Sequence, residues 1–576
     1  MIVKSERNFC LVMIKKWDCR ESIDRNAIIK VVSFLLIVMS SCTYSNLFMD
    51  SIIFSKWICL YSLTGILLLV LPITSKTCKK AIHVSDIDIL VISCLFGGLV
   101  AFSCSGIGFS EFVRISFWLL LYVLGRMLYC LFDLAHIINR TLLFIGIFTL
   151  GYCLSQYING KEIYDIFDTS IGLALVISFA VVGCFNHMDF DKPLTHNWFV
   201  LLLSILLIIT LVLLKSRTGL LSLAAISMIY FRKKKLVFIV LPIVFVVGLY
   251  LFSIKEDSTR GRSFIYSTTF SMLDSPAKIL FGHGSDEFKN KYMLYQARAL
   301  ENEEFEIKQR ADNIKHPLNE FLLLLVEHGV VSLVIVLVGC AMLLYMLPCN
   351  PFLTATLAVI FTFSLFAYPF NYPITYVMLA VSLAAAPSRK YTRFRFRYSS
   401  AVKMLSVAGL LLLSFSLPLS KKHHEWKQAY NKFRLGFHYE ALEKYADLYS
   451  NLHYSPEFIY NYVSVLCKAG YKEKALMTMS ECRVYNYETE LLRGDVAFLN
   501  ADYSTALSHF QMASKMCPNR FVPLYAMYQV YGEMADRYAQ LSIADEIINK
   551  PIKVPSDVID NIIYTINEDR KKYDAN

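Results

Sequence analysis

The chain's long apolar segments constrain its fold more than any other feature. Of its 576 residues, 56% are hydrophobic and only 18% are charged. Runs of about 18 to 23 apolar residues recur, and a helix needs about 20 residues to cross a bilayer. Backbone groups in lipid must be satisfied within their own segment. The sequence therefore predicts an all-α, polytopic membrane bundle of 12–13 spans, near 28–46, 52–74, 88–105, 112–132, 141–159, 166–186, 198–214, 218–231, 236–254, 319–346, 353–369, 372–386 and 401–419.

Short basic loops predict the orientation of this bundle, because loops rich in Lys and Arg stay in the cytoplasm. The predicted cytoplasmic clusters are Lys76, Lys79 and Lys80, then Arg140, the run 232–235 and the run 388–397. An even number of predicted spans separates each cluster from the next. This parity predicts a cytoplasmic tail at 1–27 and an external loop at 255–318. Everything after residue 420 is then external as well.

The C-terminal part, 421–576, has the composition of a soluble helical domain and carries a repeat. Similar segments begin at 437, 471 and 503, and Ala441 and Ala475 are 34 residues apart. This is the period of tetratricopeptide units, which are helix pairs that bury their apolar faces by stacking on one another. The pattern predicts a helical repeat domain that binds proteins or peptides, with a generic helical tail as the alternative. The membrane domain is then 28–420.

Two basic sites lie at the external ends of predicted spans. Lys215 and Arg217 fall between two spans, at the depth of a lipid headgroup. A guanidinium can bind two phosphate oxygens at once, although snorkelling of basic side chains to the interface gives the same pattern. Arg262 opens the long loop and lies four residues before Tyr266, so a helix would place both on one face. Arg260, by contrast, has the pattern of a solvated loop charge.

The third site is the segment HPLNEFLLLLVEHG at 316–329. Pro317 favours the first turn of a helix, which predicts His316 as its cap. A neutral His there can accept a proton as a general base. Asn319 and Glu320 follow on the same side, and Glu327 lies deeper in the span as a structural or positioning residue. A surface His beside a helix begun by proline is the alternative.

These segments resemble a known family. SRTG at 216–219, GRSFIY at 261–266, FGHGSDEF at 281–288 and HPLNEFLLLLVEHGVVS at 316–332 are similar to the O-antigen ligase superfamily. The resemblance covers about 198–346. It implies a metal-independent, cofactor-free inverting glycosyltransferase that takes glycans from undecaprenyl diphosphate at the periplasmic face of the bacterial inner membrane.

The resemblance also implies roles for individual residues. Arg217 and Arg262 would hold the diphosphate, and a His would activate the acceptor hydroxyl. The family often has this His directly before the Asn, where this chain has Leu318, which leaves His316 as the nearest candidate. The Trp that follows GR in the family is here Tyr266.

Several other functions fit parts of the sequence. Within the family, a ligase acting on lipid A core, a protein O-oligosaccharyltransferase and a polysaccharide polymerase share these motifs. A transporter would be expected to have related halves, and a non-enzymatic scaffold leaves the external basic sites unexplained. A metal-dependent glycosyltransferase would need paired carboxylates such as Asp86 and Asp88, which the predicted topology places on the cytoplasmic side.

Overall fold

The computed structural model describes residues 27–75, 81–106, 108–131, 134–188, 197–231, 256–346, 350–385 and 390–574. The all-α prediction is confirmed, because helices form nearly all of the regular structure in these ranges. Four predicted features lie outside the described residues: the basic tail up to residue 26, the cluster at 76–80, the run 232–235 and the span 236–254.

Twelve of the predicted spans coincide with described helices. These are α1 (Ala27–Cys42), α2 (Ile53–Ser75), α3 (Asp86–Ser105), α4 (Phe109–Leu131), α5 (Leu134–Ile158), α6 (Ser170–His187), α7 (Trp198–Leu213), α8 (Arg217–Phe231), α13 (Glu320–Met346), α14 (Pro351–Phe366), α15 (Pro373–Ala384) and α16 (Tyr398–Arg434). Among the described residues, six helices are long and apolar enough to cross a membrane: α2, α4, α5, α6, α13 and α16. The chain is a membrane-integral protein.

Two short strands distinguish the two faces of the bundle. β1 (Ala81–Ser85) follows α2, and β2 (Lys390–Arg397) precedes α16. They pair antiparallel, from Ala81 opposite Arg397 to Ser85 opposite Lys390. We call this side the sheet face. The side that carries residues 256–318 is the loop face.

The loop face is built from short helices. They are α9 (Glu256–Ser271), α10 (Pro276–Phe281), α11 (Glu287–Leu300) and α12 (Phe305–Arg310). The C-terminal helices lie on the same side: α17 (His438–Leu452), α18 (Pro456–Lys468), α19 (Lys472–Ser480), α20 (Tyr487–Leu499), α21 (Tyr503–Met516), α22 (Val522–Glu533), α23 (Arg537–Asn549) and α24 (Asp557–Asp574). The alanine within each repeated segment, Ala441, Ala475 or Ala506, is fully buried. The assignment of these helices to tetratricopeptide units stays a prediction.

The C-terminal helices pack directly on α11. Residues of α11 and α21 share one apolar core, and Gln296 donates a hydrogen bond to the Met516 carbonyl over 2.9 Å. Lys289 of α11 pairs with Glu457 of α18 over 2.6 Å. A 37-residue helix, α16, connects the sheet face to this region without interruption. Residues 256–318 and the C-terminal helices therefore lie on one side of the bundle, as the predicted parity requires.

A kink in α13 creates the site for the loop. Gly329 has φ +75° and ψ 178°, which breaks the helical path. In the turn before the kink, the Val326 carbonyl accepts the His283 N–H over 2.9 Å, and the Glu327 carbonyl accepts the Gly284 N–H over 2.8 Å. The loop backbone thus hydrogen-bonds to helix carbonyls that would otherwise be buried beside a break.

A buried polar contact fixes the same corner to α4. His328 is only 2% exposed, and its Nε2 lies 3.1 Å from Glu111 Oε1. The Ser285 hydroxyl donates to the other oxygen of Glu111. The contact joins α4, the loop and α13, so it holds the relative positions of three segments that form the loop face.

Replacing the glycine at the kink is predicted to destabilise the protein. A Cβ on Gly329 would lie 2.1 Å from the Leu280 carbonyl oxygen, and the backbone there is left-handed. We expect Gly329→Ala to lower the melting temperature in detergent, because the strained backbone alone costs about 1–3 kcal/mol. Gly98→Ala in α3 is the control, since nothing lies within 4 Å of its Cβ position. Equal melting temperatures for the two variants would contradict the close approach.

Candidate active site

The turn between α7 and α8 presents Arg217 to the loop face. Lys215 adopts a left-handed backbone with φ +51°, which reverses the chain. Ser216 then caps α8, since its Oγ accepts the Gly219 N–H over 3.2 Å. Arg217 is the first residue of α8, and its Nη1 donates to Thr259 Oγ1 over 2.9 Å. The turn thus directs Arg217 towards α9.

Arg262 approaches the same place from α9. Its Nη1 donates to the carbonyl of Phe366, the last residue of α14, over 3.0 Å. The charge of Arg262 is close enough to repel that of Arg217. Each of these two hydrogen bonds has a neutral oxygen as its acceptor, and each helps to position one guanidinium group. A pair of like charges held in this way is suited to binding an anion.

Tyr266 lies one turn after Arg262 in α9, so the helical relationship predicted from the sequence is present. Its hydroxyl donates to the Leu318 carbonyl over 3.4 Å. This contact connects the helix that carries Arg262 to the segment that carries His316. Tyr266 therefore lies between two of the predicted site residues.

The predicted start of the helix after His316 is wrong. α13 begins at Glu320, and Asn319 caps it by accepting the Leu322 N–H over 2.9 Å. Leu318 has φ +57°, so the chain turns left-handed just before the helix. Asn is a stronger cap than His, and the left-handed residue prevents Pro317 from starting the helix. His316 therefore lies in the preceding loop.

His316 is nevertheless held in a defined position. Its ring stacks on Tyr368 with centroids 4.7 Å apart and planes 14° apart. Burial, and then the charges of Lys289, Arg114 and Lys315, lower the pKa of His316 to about 4. The imidazole is therefore neutral at physiological pH. The cause is desolvation and nearby cations rather than the helix terminus that the sequence suggested.

Next to His316 lies a polar cluster that sequence reasoning missed. The Tyr372 ring stacks on Tyr368, and its hydroxyl lies 2.8 Å from Thr169 Oγ1 and donates to Asp168 Oδ2 over 3.3 Å. Asp168 has φ +73°. Its pKa is raised, first by burial and then by Asp50. The only sequence signal was a group of polar residues at 159–169, which extends into the start of the predicted span 166–186.

The remaining predicted residues hold the backbone around the site. Asn319 Nδ2 donates to the Leu365 carbonyl over 3.0 Å. Glu320 Oε1 accepts the Phe370 N–H over 3.2 Å, and Glu327 Oε1 accepts the Phe288 N–H over 3.4 Å. These contacts favour positioning roles for all three side chains.

Arg217, Arg262 and His316 are thus brought to one region by contacts with α9, α14 and the segment after α14. Comparison with protein families matches residues 202–337 to the family described as O-antigen ligase. The matched stretch contains all eight site residues predicted from the sequence. The match supports a relationship between this stretch and the O-antigen ligase superfamily. Comparison with curated proteins gave no match.

This similarity supports a membrane protein with a role in processing O-antigen or related polysaccharides. It also shows which parts of the site lie beyond the matched stretch. Asp168, Tyr368 and Tyr372 are outside it, and so is Arg114 of α4. This chain therefore surrounds the family's motif region with side chains from other helices.

Proposed function

We propose that the chain is a glycosyltransferase that moves a glycan from undecaprenyl diphosphate to an acceptor hydroxyl. The observation that supports the proposal is the Arg217–Arg262 pair, which Thr259 and the Phe366 carbonyl position, two residues along the chain from the Tyr368 ring that stacks on His316. Preorganised cations at the place where charge develops commonly supply the largest catalytic contribution.

The proposed reaction is a single displacement at the anomeric carbon. The acceptor oxygen forms the new glycosidic bond while the bond from the anomeric carbon to the phosphate oxygen breaks. The lipid diphosphate leaves with the bonding electrons, and Arg217 and Arg262 stabilise its charge. His316 takes the proton from the acceptor hydroxyl. This geometry inverts the configuration of the sugar and assigns no step to a metal.

We assign the loop face to the periplasm and the sheet face to the cytoplasm of a bacterial inner membrane. Lipid-linked donor would then reach Arg217 from the outer leaflet. The C-terminal helices, 421–576, would lie over the site in the periplasm, where they could bind a protein partner or acceptor. Acceptors that fit the proposal are lipid A core and protein Ser or Thr hydroxyls, and a growing glycan chain would make the enzyme a polymerase.

A deletion strain tests the proposal, because it can be compared with the same strain complemented by the wild-type gene. Lipopolysaccharide, glycoproteins and lipid-linked glycan are separated and probed for the same sugar. Loss of long glycan from lipopolysaccharide, with polymerised donor accumulating, indicates a ligase. Loss from proteins alone indicates a protein O-transferase, and accumulation of single-unit donor indicates a polymerase. No change in any fraction contradicts the proposal and favours a transporter or scaffold.

A further inference from the structure

Arg114 is a charged side chain inside a membrane helix for which the predicted site gave no role. It lies five residues after the start of α4, within the candidate span Phe109–Tyr129. Ionisable groups are costly at such positions and are usually paired or functional. Its guanidinium lies over the Trp57 ring, 5.8 Å from the ring centroid.

Two carboxylates in the region of Arg114 are bound to other groups. Glu111, one turn earlier in α4, contacts His328 and Ser285. Glu320 accepts the Phe370 N–H. Within the described ranges, no carboxylate lies within 4 Å of the Arg114 guanidinium nitrogens. The positive charge is therefore not neutralised by a direct ion pair.

Aromatic rings fix the place of this charge. Trp57 contacts Tyr61, Phe117 and Tyr376, with ring centroids 5.5, 6.3 and 5.0 Å away. A guanidinium that packs on an aromatic ring keeps hydrogen-bond donors available to a ligand. The ring face attracts the charge but does not form hydrogen bonds with all five N–H groups.

Arg114 also belongs to the same region as His316. The Tyr376 ring that contacts Trp57 lies 5.6 Å from the Phe370 ring, and the Phe370 N–H donates to Glu320, the first residue of α13. α4 begins at the loop face, and five residues of helix rise about 8 Å. Arg114 is therefore close to the depth where a lipid phosphate meets the apolar layer, whereas the sugars of a lipid-linked donor would lie further out in water.

We propose that Arg114 binds a phosphate oxygen of the lipid diphosphate, as a third cation in addition to Arg217 and Arg262. The inference rests on the proposed function. The three guanidinium groups come from three different helices, α4, α8 and α9. In this proposal Arg217 and Arg262 bind the diphosphate together, and Arg114 adds a contact from a third helix. An Arg fork is suited to this because it presents paired donors to phosphate oxygens.

Binding to the purified full-length protein in detergent tests the inference. The probes are undecaprenyl diphosphate and undecaprenol, which has the same chain without phosphates. We expect Arg114→Gln to weaken binding of the diphosphate about 10- to 100-fold, the range for losing a charged hydrogen bond. Affinity for undecaprenol should not change. Arg140→Gln is the matched control, because Arg140 is an exposed arginine of another membrane helix, α5.

The outcomes separate this inference from the proposed function. Wild-type protein that binds both probes equally would contradict the proposed function itself. If Arg217→Gln loses diphosphate binding while Arg114→Gln keeps it, the function stands and the role of Arg114 is wrong. If Arg114→Gln does not fold, Arg114→Lys provides the test. Lysine lacks the planar fork, so we expect weaker binding, and wild-type affinity would overturn the inference.

Discussion

Replacing Arg217 with alanine is expected to abolish glycan transfer while the protein remains in the membrane. The side chain lies at the first position of α8 and is directed to α9 by its hydrogen bond with Thr259. Loss of one preorganised charge-stabilising donor typically reduces kcat by about 10²–10³-fold. Arg217→Lys keeps the charge but not the planar fork, so we expect it to restore only part of the activity. The measurement is transfer of lipid-linked glycan in isolated membranes.

The control for this prediction is Arg298→Ala. Arg298 is an exposed arginine of α11 on the same face, and it contacts the Tyr295 ring. We expect its removal to leave transfer unchanged, and immunoblots should show equal amounts of both variants in the membrane. Retained transfer by Arg217→Ala, at equal protein level, would contradict the diphosphate-binding assignment.

Replacing His316 with alanine is expected to reduce transfer about 10²–10⁴-fold, the usual contribution of a general base. The pH dependence of the wild type gives a second test. Because the pKa of His316 is lowered to about 4, its neutral form persists above that pH. Activity that depends on this group should therefore be flat from about pH 5.5 to 8 and should fall as the pH approaches 4.

His453→Ala is the control for the His316 variant, since His453 is exposed at the end of α17. An activity that rises through an apparent pKa near 6.5 would show that an ordinary histidine or another group limits the reaction. If His316→Ala retains wild-type transfer, the proton must go elsewhere. Asp168 would then be the next candidate for the general base, because its carboxylate belongs to the polar cluster next to His316.

The membrane helices could be predicted from the sequence because crossing lipid requires apolar length, which is a local property of each segment. Arg217, Arg262 and His316 could be proposed because charged or titratable residues at the external ends of spans can be recognised from the neighbouring sequence alone. The start of α13 could not be found in this way. It depends on the left-handed Leu318 and on Asn319, whose side chain is held by the Leu365 carbonyl of another helix.

The rest of the site was missed because it is assembled from distant parts of the chain. Asp168 meets Tyr372 across 204 positions, and Glu111 meets His328 across 217. Arg114 had no motif around it, and it comes near the start of α13 only in the folded chain. A resemblance confined to about 198–346 could not reveal Glu111, Arg114, Asp168 or Tyr372, since these four residues lie outside it.

The continuous helix α16 sets the angular position of everything that follows it. Its 37 residues extend about 55 Å, of which a bilayer core needs about 30 Å. Each residue inserted into this helix would turn the C-terminal helices by about 100° around its axis. One insertion would move Glu457 away from Lys289 and the Met516 carbonyl away from Gln296. The helical phase of α16 is therefore part of the architecture, and changes in its length are compatible with the packing on α11 only when they come close to whole turns.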